Sequence, residues 1–335
     1  MVWKLVGFAR ILERSDRRTN CPVLVRMEPT SLALIGITFL AAIVNGALGY
    51  GFSSITVPLA LLFLTNRVLN PALVPIEVAL NAYMLWVNRA GIPGVWRRVL
   101  PIVIGLAPGV LLGTAFVSSV HPGWLKFWTF WALLPLILLQ AAGLRRPIKS
   151  ERSAGVLFGG GVGVLYSVTT ISGPPLAVML SNQGFTKGNF RTALGFIRLA
   201  ESSMTAVAYF YAGLFTIQSA ALMPFILPSI VVGVPIGAWL IRQIRPETFR
   251  RICMSFDAWV VAFGLSNLLK DLHLVQSNLA FLLMFAVGAL DAVLLYYFFT
   301  VQLPKVKREA DEAAVSTTPS TGFIPAVAET FAQRP

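Results

Sequence analysis

The sequence predicts an all-α, polytopic membrane protein: an inverted repeat of two five-element halves with broken or re-entrant helices, plus one extra C-terminal helix. Three observations carry this. The chain is too apolar for water, its halves repeat each other, and its basic residues alternate between loops. Of 335 residues, 56% are hydrophobic and 12% charged, where a soluble domain carries about 25% charged residues. Too little charge remains to cover a water-facing surface. The rest of the charge is basic, +13 overall, and sits in short segments between apolar runs. That pattern suits loops facing an anionic leaflet rather than a nucleic-acid surface. Cys21 and Cys253 offer no disulfide framework and no metal-ligand pair.

A helix needs about 20 apolar residues to cross the hydrocarbon core. Candidate spans fall at 32–49, 72–87, 99–117, 124–139, 154–168, 193–214, 220–240, 252–269 and 275–299. Two apolar stretches, 55–64 and 174–180, are too short to cross; each follows a run rich in Gly and Ser and opens near a proline. The chain then divides into a basic N-terminal segment (1–30), a first transmembrane repeat (31–140), a basic cytoplasmic loop (141–153), a second repeat (154–270), an extra helix (275–299) and a cytoplasmic tail (304–335). Segment 1–30 carries Arg10, Arg14, Arg17 and Arg18. It reads as an interfacial helix or as sequence ahead of a start at Met27, since no apolar core precedes a small-residue cleavage site. The tail mixes Lys, Glu, Ala, Ser, Thr and Pro without periodicity, the composition of a disordered segment.

A shift of 124 residues carries Glu77 to Glu201, Gly109 to Gly233, Gly113 to Gly237, Pro122 to Pro246 and Lys126 to Arg250. Upstream, a shift of 117 carries Gly46 to Gly163, Pro58 to Pro175 and Leu59 to Leu176. Ordered Gly and Pro matches with matching hydropathy indicate a duplication, of the kind secondary transporters are built from.

Loop charge sets the orientation. Basic residues cluster at Arg89, Arg97 and Arg98; at Arg145, Arg146, Lys149 and Arg152; at Lys187 and Arg191; at Arg242, Arg245, Arg250 and Arg251; and at Lys305, Lys307 and Arg308. The intervening loops hold only Arg67, Lys126 and Lys270 near their edges. The rich loops are therefore expected inside, in a multi-pass protein of the cell inner membrane. This works if each short segment doubles back on its predecessor, and five elements per half then invert the second half. The basic segment 1–30 falls outside in this scheme, which favours a start at Met27 or a first helix that spans fully.

The two Gly-rich breaks are the candidate site. The first runs from Asn45 through Gly51, Ser53, Ser54 and Thr56 to Pro58; the second runs from Gly159 through Thr169, Thr170, Ser172 and Gly173 to Pro174 and Pro175. Irregular backbone at membrane depth is tolerated only when buried in protein or lining a wet cavity. A proline near the start of a short helix suits its first turn, and a helix N-terminus offers free N–H donors and partial positive charge. Two such ends facing each other would hold a small anion. Gly105, Gly109, Gly113, Gly233 and Gly237 instead read as close-packing positions.

The same residues carry a family resemblance. The Gly-rich break, the Ser172-Gly173-Pro174-Pro175-Leu176 segment, the Lys187…Phe190-Arg191-Thr192 stretch and the two-fold repeat resemble the TauE/SafE family of sulfite and organosulfur-anion exporters, over roughly 32–269. The resemblance implies export of small sulfur-containing anions such as sulfite or sulfonates. The first break lacks the Gly-Gly run of the second, and the extra helix and tail lie outside the resemblance.

Charges within the spans are Glu77, Arg198, Glu201, Asp257 and Asp291. Each costs about 2.5–3.5 kcal/mol at the bilayer centre on insertion scales, so each needs a partner, a cavity or a proton. Arg198 and Glu201, three apart, share a helix face. They read either as a structural ion pair or as an anion ligand beside a proton carrier. Glu77 has no charged residue three or four positions away, which makes it the better proton carrier of the two glutamates. Asp257 reads as structural, near the cytoplasmic end of its helix, and Asp291 has no assigned role. The substrate-binding set is thus Asn45, Gly51, Ser53, Ser54, Thr56, Thr169, Thr170, Ser172, Gly173, Pro174 and Arg198, with Glu77 and Glu201 for coupling.

Rival classes find less support. A hydrolase elbow would need Gly where Thr170 stands, and His121 and His273 fall beside helix ends. No His, Cys and Asp grouping has metal-ligand spacing, so neither metal nor other cofactor is expected. A passive anion channel and a membrane scaffold are the alternatives to a secondary carrier. The partners expected are a small anion and the lipid bilayer, with no nucleic acid; the sequence leaves homo-oligomerisation open. Single cysteines introduced at 97, 215 and 245 in a background lacking Cys21 and Cys253 test the orientation. An impermeant thiol reagent added to intact cells is expected to label 215 and to spare 97 and 245; outside labelling at 245 refutes the inversion.

Overall fold

A computed structural model describes residues 29–141, 151–182, 187–241, 243, 246–275, 277–302 and 304. Segments 1–28 and 142–150, and the tail beyond 304, lie outside the described residues, so the expectations for them are untouched. The first half comprises α1 (Pro29–Leu48), the short α2 (Phe52–Ala60), α3 (Asn66–Val87), α4 (Ile92–Ser119) and α5 (Pro122–Ala141). The second half comprises α6 (Glu151–Thr169), the short α7 (Gly173–Asn182), α8 (Lys187–Tyr211), α9 (Ile217–Leu240) and α10 (Pro246–Asp271). A 3₁₀ turn (Asn278–Phe281) leads into α11 (Leu282–Tyr297). There is no strand among the described residues. Six of these helical stretches are long and apolar enough to cross a membrane. The protein is all-α and polytopic, as its composition requires.

The outside of the bundle is apolar and the inside carries polar groups. Leu111, Leu112, Leu157 and Val231 are exposed, while Asn45, Asn66, Asn70, Glu77, Ser167 and Glu201 are buried. Lipid is the only solvent for such an exterior. α9 has no polar face and holds Pro224, Pro228 and Pro235 within the helix.

Packing follows a two-fold pattern. The most extensive pairs are α4 against α6 and α9 against α1, which are the same pair of elements taken from opposite halves. α3 packs on α8, and α5 on α10, each element meeting its own counterpart. The residues agree with the repeat. A Cβ on Gly46 would lie 2.1 Å from the Val234 carbonyl oxygen, and one on Gly163 would lie 3.0 Å from Val110 N; each partner is the repeat mate of the other. Gly237 meets Ile43 and Ala47 as Gly113 meets Val164 and Ser167. These glycines let backbones touch, as expected for Gly105, Gly109, Gly113, Gly233 and Gly237. Gly159 and Gly163, which the sequence grouped with the second break, belong to the same class, since a Cβ on Gly159 would sit 2.1 Å from Ile102 O.

Several boundaries differ from expectation for physical reasons. α3 starts at Asn66 rather than 72, because Asn66 and Asn70 lie inside the bundle and bond to α6 rather than to water. α4 begins at Ile92, seven residues before the expected 99, and carries the exposed Arg97 and Arg98 on its first turns. Pro58 is inside α2 near its end, not in its first turn. Pro174 and Pro175 do occupy the first turn of α7. Arg251, counted with a cytoplasmic loop, is buried and pairs with Asp291 at 2.8 Å. Ser255 donates to the same carboxylate at 3.2 Å. Asp291 therefore ties α11 to α10.

Two basic residues of the sparse loops are occupied as caps. Arg67 donates to the carbonyls of Val117, Ser118 and Val120 at 2.7–3.0 Å, closing the end of α4. Lys126 donates to Leu61 O at 2.8 Å, closing α2.

The helix contacts yield a stability test. A Cβ on Gly237 would lie 1.9 Å from Ile43 O, whereas Gly161 has nothing within 4 Å. Gly237→Ala is expected to destabilise the detergent-solubilised protein by about 1–3 kcal/mol through overpacking. Gly161→Ala is expected to be neutral or to stabilise by about 0.5–1 kcal/mol. Thermal unfolding of both variants beside the parent checks this.

Candidate functional site: a polar cleft between the two breaks

At the first break, Gly49 and Gly51 adopt φ +81° and +108°, left-handed conformations that glycine takes without steric cost. The turn aims the first residues of α2 inward, so Ser53, Ser54 and Thr56 are buried. At the second break Thr170 takes φ 56° while fully buried. A β-branched residue there is strained by about 1–3 kcal/mol, and neighbours hold it in place. Thr169 Oγ1 accepts from Ile171 N at 3.0 Å and donates to Leu165 O at 2.7 Å. The end of α6 is closed from outside as well. Asn70 donates to Val168 O at 2.7 Å, Asn66 to the same oxygen at 3.3 Å, and the Tyr209 hydroxyl to Ser167 O.

The two breaks share one cleft. Gly51, Ser53 and Ser54 line it from the first half; Thr170, Ser172, Gly173 and Pro174 line it from the second, with Arg198 reaching in from α8. The cleft is tight: the space open to a water-sized sphere is about 10 Å³, about enough for one water. Asn45, Thr56 and Thr169 do not line it. The amide of Asn45 and the hydroxyl of Thr56 stay buried without partners, and Thr169 braces the backbone.

The helix ends contribute unequally. α2 begins Phe52-Ser53-Ser54, with free amides, while the Ile55 amide already bonds to Gly51 O. α7 begins Gly173-Pro174-Pro175, so Gly173 supplies its one amide donor before the Leu176 N–H, which bonds to Ser172 O at 3.1 Å. The missing side chain of Gly173 faces the Tyr50 ring, 3.0 Å from where a Cβ would stand.

Three charged groups meet beside the cleft. Arg198 pairs with Glu77, Nη2 to Oε1 at 3.3 Å, across the two halves. Glu77 also accepts from the Ser53 hydroxyl and, at 2.6 Å, from the Tyr166 hydroxyl. The expected pairing of Arg198 with Glu201 is thus replaced by one 121 residues away in sequence. Glu77, expected to be the free glutamate, is the fully engaged one. Glu201 accepts the Ser172 hydroxyl on Oε1, and its Oε2 is buried without a partner. Arg198 Nε is likewise unpartnered, while the Arg198 main-chain oxygen takes the Asn81 amide at 3.4 Å.

Sequence reasoning missed Tyr166, Asn66, Asn70 and Tyr209. Only polarity within an apolar span could have flagged them, and an aromatic in a membrane helix is usually a packing residue. It also misplaced Asp257. This residue sits eleven positions after Pro246 and fourteen before Asp271, near the middle of α10. It lines a second tight cleft, with about 20 Å³ open to a water-sized sphere, that shares Gly51, Ser54 and Pro174 with the first.

Comparison with known families fits this architecture. Residues 34–264 match the family model described as Sulfite exporter TauE/SafE. The match spans most of the chain, and the protein belongs to that family of membrane transporters. Comparison with curated proteins and with solved structures gives no match.

The cross-repeat ion pair can be tested directly. Glu77→Gln leaves the buried Arg198 without its counter-charge and is expected to cost about 3–5 kcal/mol; a Glu77→Met/Arg198→Met double variant is expected to recover most of that. Glu201→Gln is expected to cost less, because Glu201 carries no ion pair. Unfolding of the three proteins in detergent decides: a larger loss in Glu201→Gln than in Glu77→Gln contradicts the pairing.

Proposed function

We propose that the protein is an inner-membrane exporter of small sulfur-containing anions, sulfite and sulfonates above all, and that the cleft between the two breaks is its substrate site. One observation carries this reading: a small buried cleft lined by hydroxyls, helix-start amides and the guanidinium of Arg198, in a bundle whose exterior is apolar. Every polar side chain on its lining is a hydroxyl or a guanidinium, able to act as a donor. The Ser172 hydroxyl, once turned from Glu201, would hold an anion oxygen, with the amides of Ser53, Ser54 and Gly173 adding N–H donors and Arg198 its charge. The name of the family supports sulfite as one substrate, and a cleft this tight favours an anion of few atoms over a bulky one.

Reconstituted protein tests the proposal. Proteoliposomes loaded with sulfite, a short sulfonate, sulfate or acetate are expected to release the first two faster than protein-free vesicles, with stimulation by the same anion outside. Release without such stimulation indicates a passive channel, and no release of any anion refutes transport by this cleft. Ser172→Ala is expected to weaken apparent affinity by about 0.5–1.5 kcal/mol, or more if the lost hydrogen bond is to a charge. Gly173→Val is expected to be worse, because it drives the Tyr50 ring away from the cleft. Parental rates in a well-folded Gly173→Val place the pocket elsewhere.

A further inference from the structure

The cleft that would take an anion has one cation and two carboxylates beside it. Arg198 is the positive group, and Glu77 and Glu201 are the negative ones. With both glutamates ionised the group is net negative, and its best donors are already spent. The Ser53 hydroxyl goes to Glu77 and the Ser172 hydroxyl to Glu201. In this state the two carboxylates are built-in competitors of any substrate.

The two competitors are not equally removable. Glu77 is held by three donors, from Ser53, Tyr166 and Arg198. Glu201 has one, and its Oε2 is bare inside the protein. The groups that face Glu201 are few. Arg198 lies on its own helix, Glu77 on α3 and Tyr166 on α6. α4 also packs along α8 but carries only Arg97 and Arg98, exposed on its first turns. Asp257 of α10 lines the adjoining cleft.

We propose that the substrate anion binds only together with one proton, and that the proton sits on Oε2 of Glu201. This rests on the cleft being the anion site. Protonation does two things at once. It removes one negative charge beside the incoming anion, and it weakens the hold of Glu201 on the Ser172 hydroxyl, which can turn to the substrate. No bond other than O–H is made, and the proton comes from and returns to water. The anion and the proton then favour each other's binding by the same factor. Anion and proton then cross together, so acid inside assists export of the anion and acid outside opposes it.

The probe is isethionate, a small sulfonate that stays ionised over the whole pH range used, so any proton taken up belongs to the protein. Calorimetry in two buffers of different protonation heat counts that uptake. For the parent protein about one proton per anion is expected, with affinity rising about tenfold per unit fall in pH while Glu201 is ionised. Glu201→Gln imitates the neutral acid. It is expected to bind with no proton uptake, to be flat with pH, to be tighter than the parent at neutral pH, and to lose accumulation driven by a pH gradient in proteoliposomes. Asp257→Asn is expected to keep the parental proton uptake. Binding by the parent with no proton uptake overturns the proposal, a measurement that does not depend on any variant folding. Uptake retained in Glu201→Gln and lost in Asp257→Asn overturns it too, by moving the proton to the neighbouring cleft. If the parent binds and transports neither isethionate nor sulfite, the anion-site reading itself fails, an outcome distinct from binding without a proton.

Discussion

A helix that stops inside a membrane exposes carbonyls and amides with no water to meet them, and much of the polar interior of this protein answers that single constraint. The end of α6 is closed by Asn66, Asn70 and Tyr209, that of α2 by Lys126, and that of α4 by Arg67. Thr169 closes the turn between α6 and α7 on itself. Carbonyl ends are therefore satisfied from outside the cleft, and donor ends are left facing into it. Such an arrangement suits the small anion proposed above.

α3 is the element that makes this affordable in a fold of apolar helices. Asn66, Asn70, Glu77 and Asn81 recur at spacings of four, seven and four, which places them on one face. That face is turned inward along α6 and α8, and every one of its polar residues is engaged with a partner from the second half or from its own short helix. Around it the glycine contacts bring α4 to α6 and α9 to α1 at backbone distance. In lipid such contacts substitute for the hydrophobic drive that packs a soluble core.

Much of this was legible in the sequence, for identifiable reasons. Hydropathy over whole helices is a strong signal, so the all-α class and six of the nine expected spans followed from it. Glycine and proline are chemically irreplaceable at close contacts and breaks, so the repeat showed through them, and the residues of both breaks could be named. What failed depends on distance in space. Arg198 and Glu201 share a helix face, and local spacing therefore suggested a pair. The guanidinium instead reaches Glu77 on another helix, a contact no periodicity encodes. Asn66 and Asn70 looked like loop residues because polarity usually means water, whereas here it means the unsatisfied end of a neighbouring helix. Arg251 misled in the same way, since its partner Asp291 lies in a helix outside the repeat.

The fold is two-fold but the site is not, and the difference lies in a few side chains. The repeat mate of Glu201 is Glu77, yet the mate of Arg198 is Val74 and the mate of Tyr166 is Gly49. Arg198 and Tyr166 both belong to the second half, and both serve the glutamate of the first. Each half thus supplies a carboxylate and a serine, while the second half alone supplies the cation and the phenol. An exchange of roles between the halves, which a duplicated carrier scaffold permits, would leave the charges unexchanged. One glutamate is paired with the arginine and the other is not. A symmetric scaffold with two free carboxylates would repel an anion from both sides, and one with two arginines would hold it too tightly to release. A single arginine bound to the opposite half lies between those limits: it keeps a positive group at the cleft and leaves the balance of the site to one remaining acid.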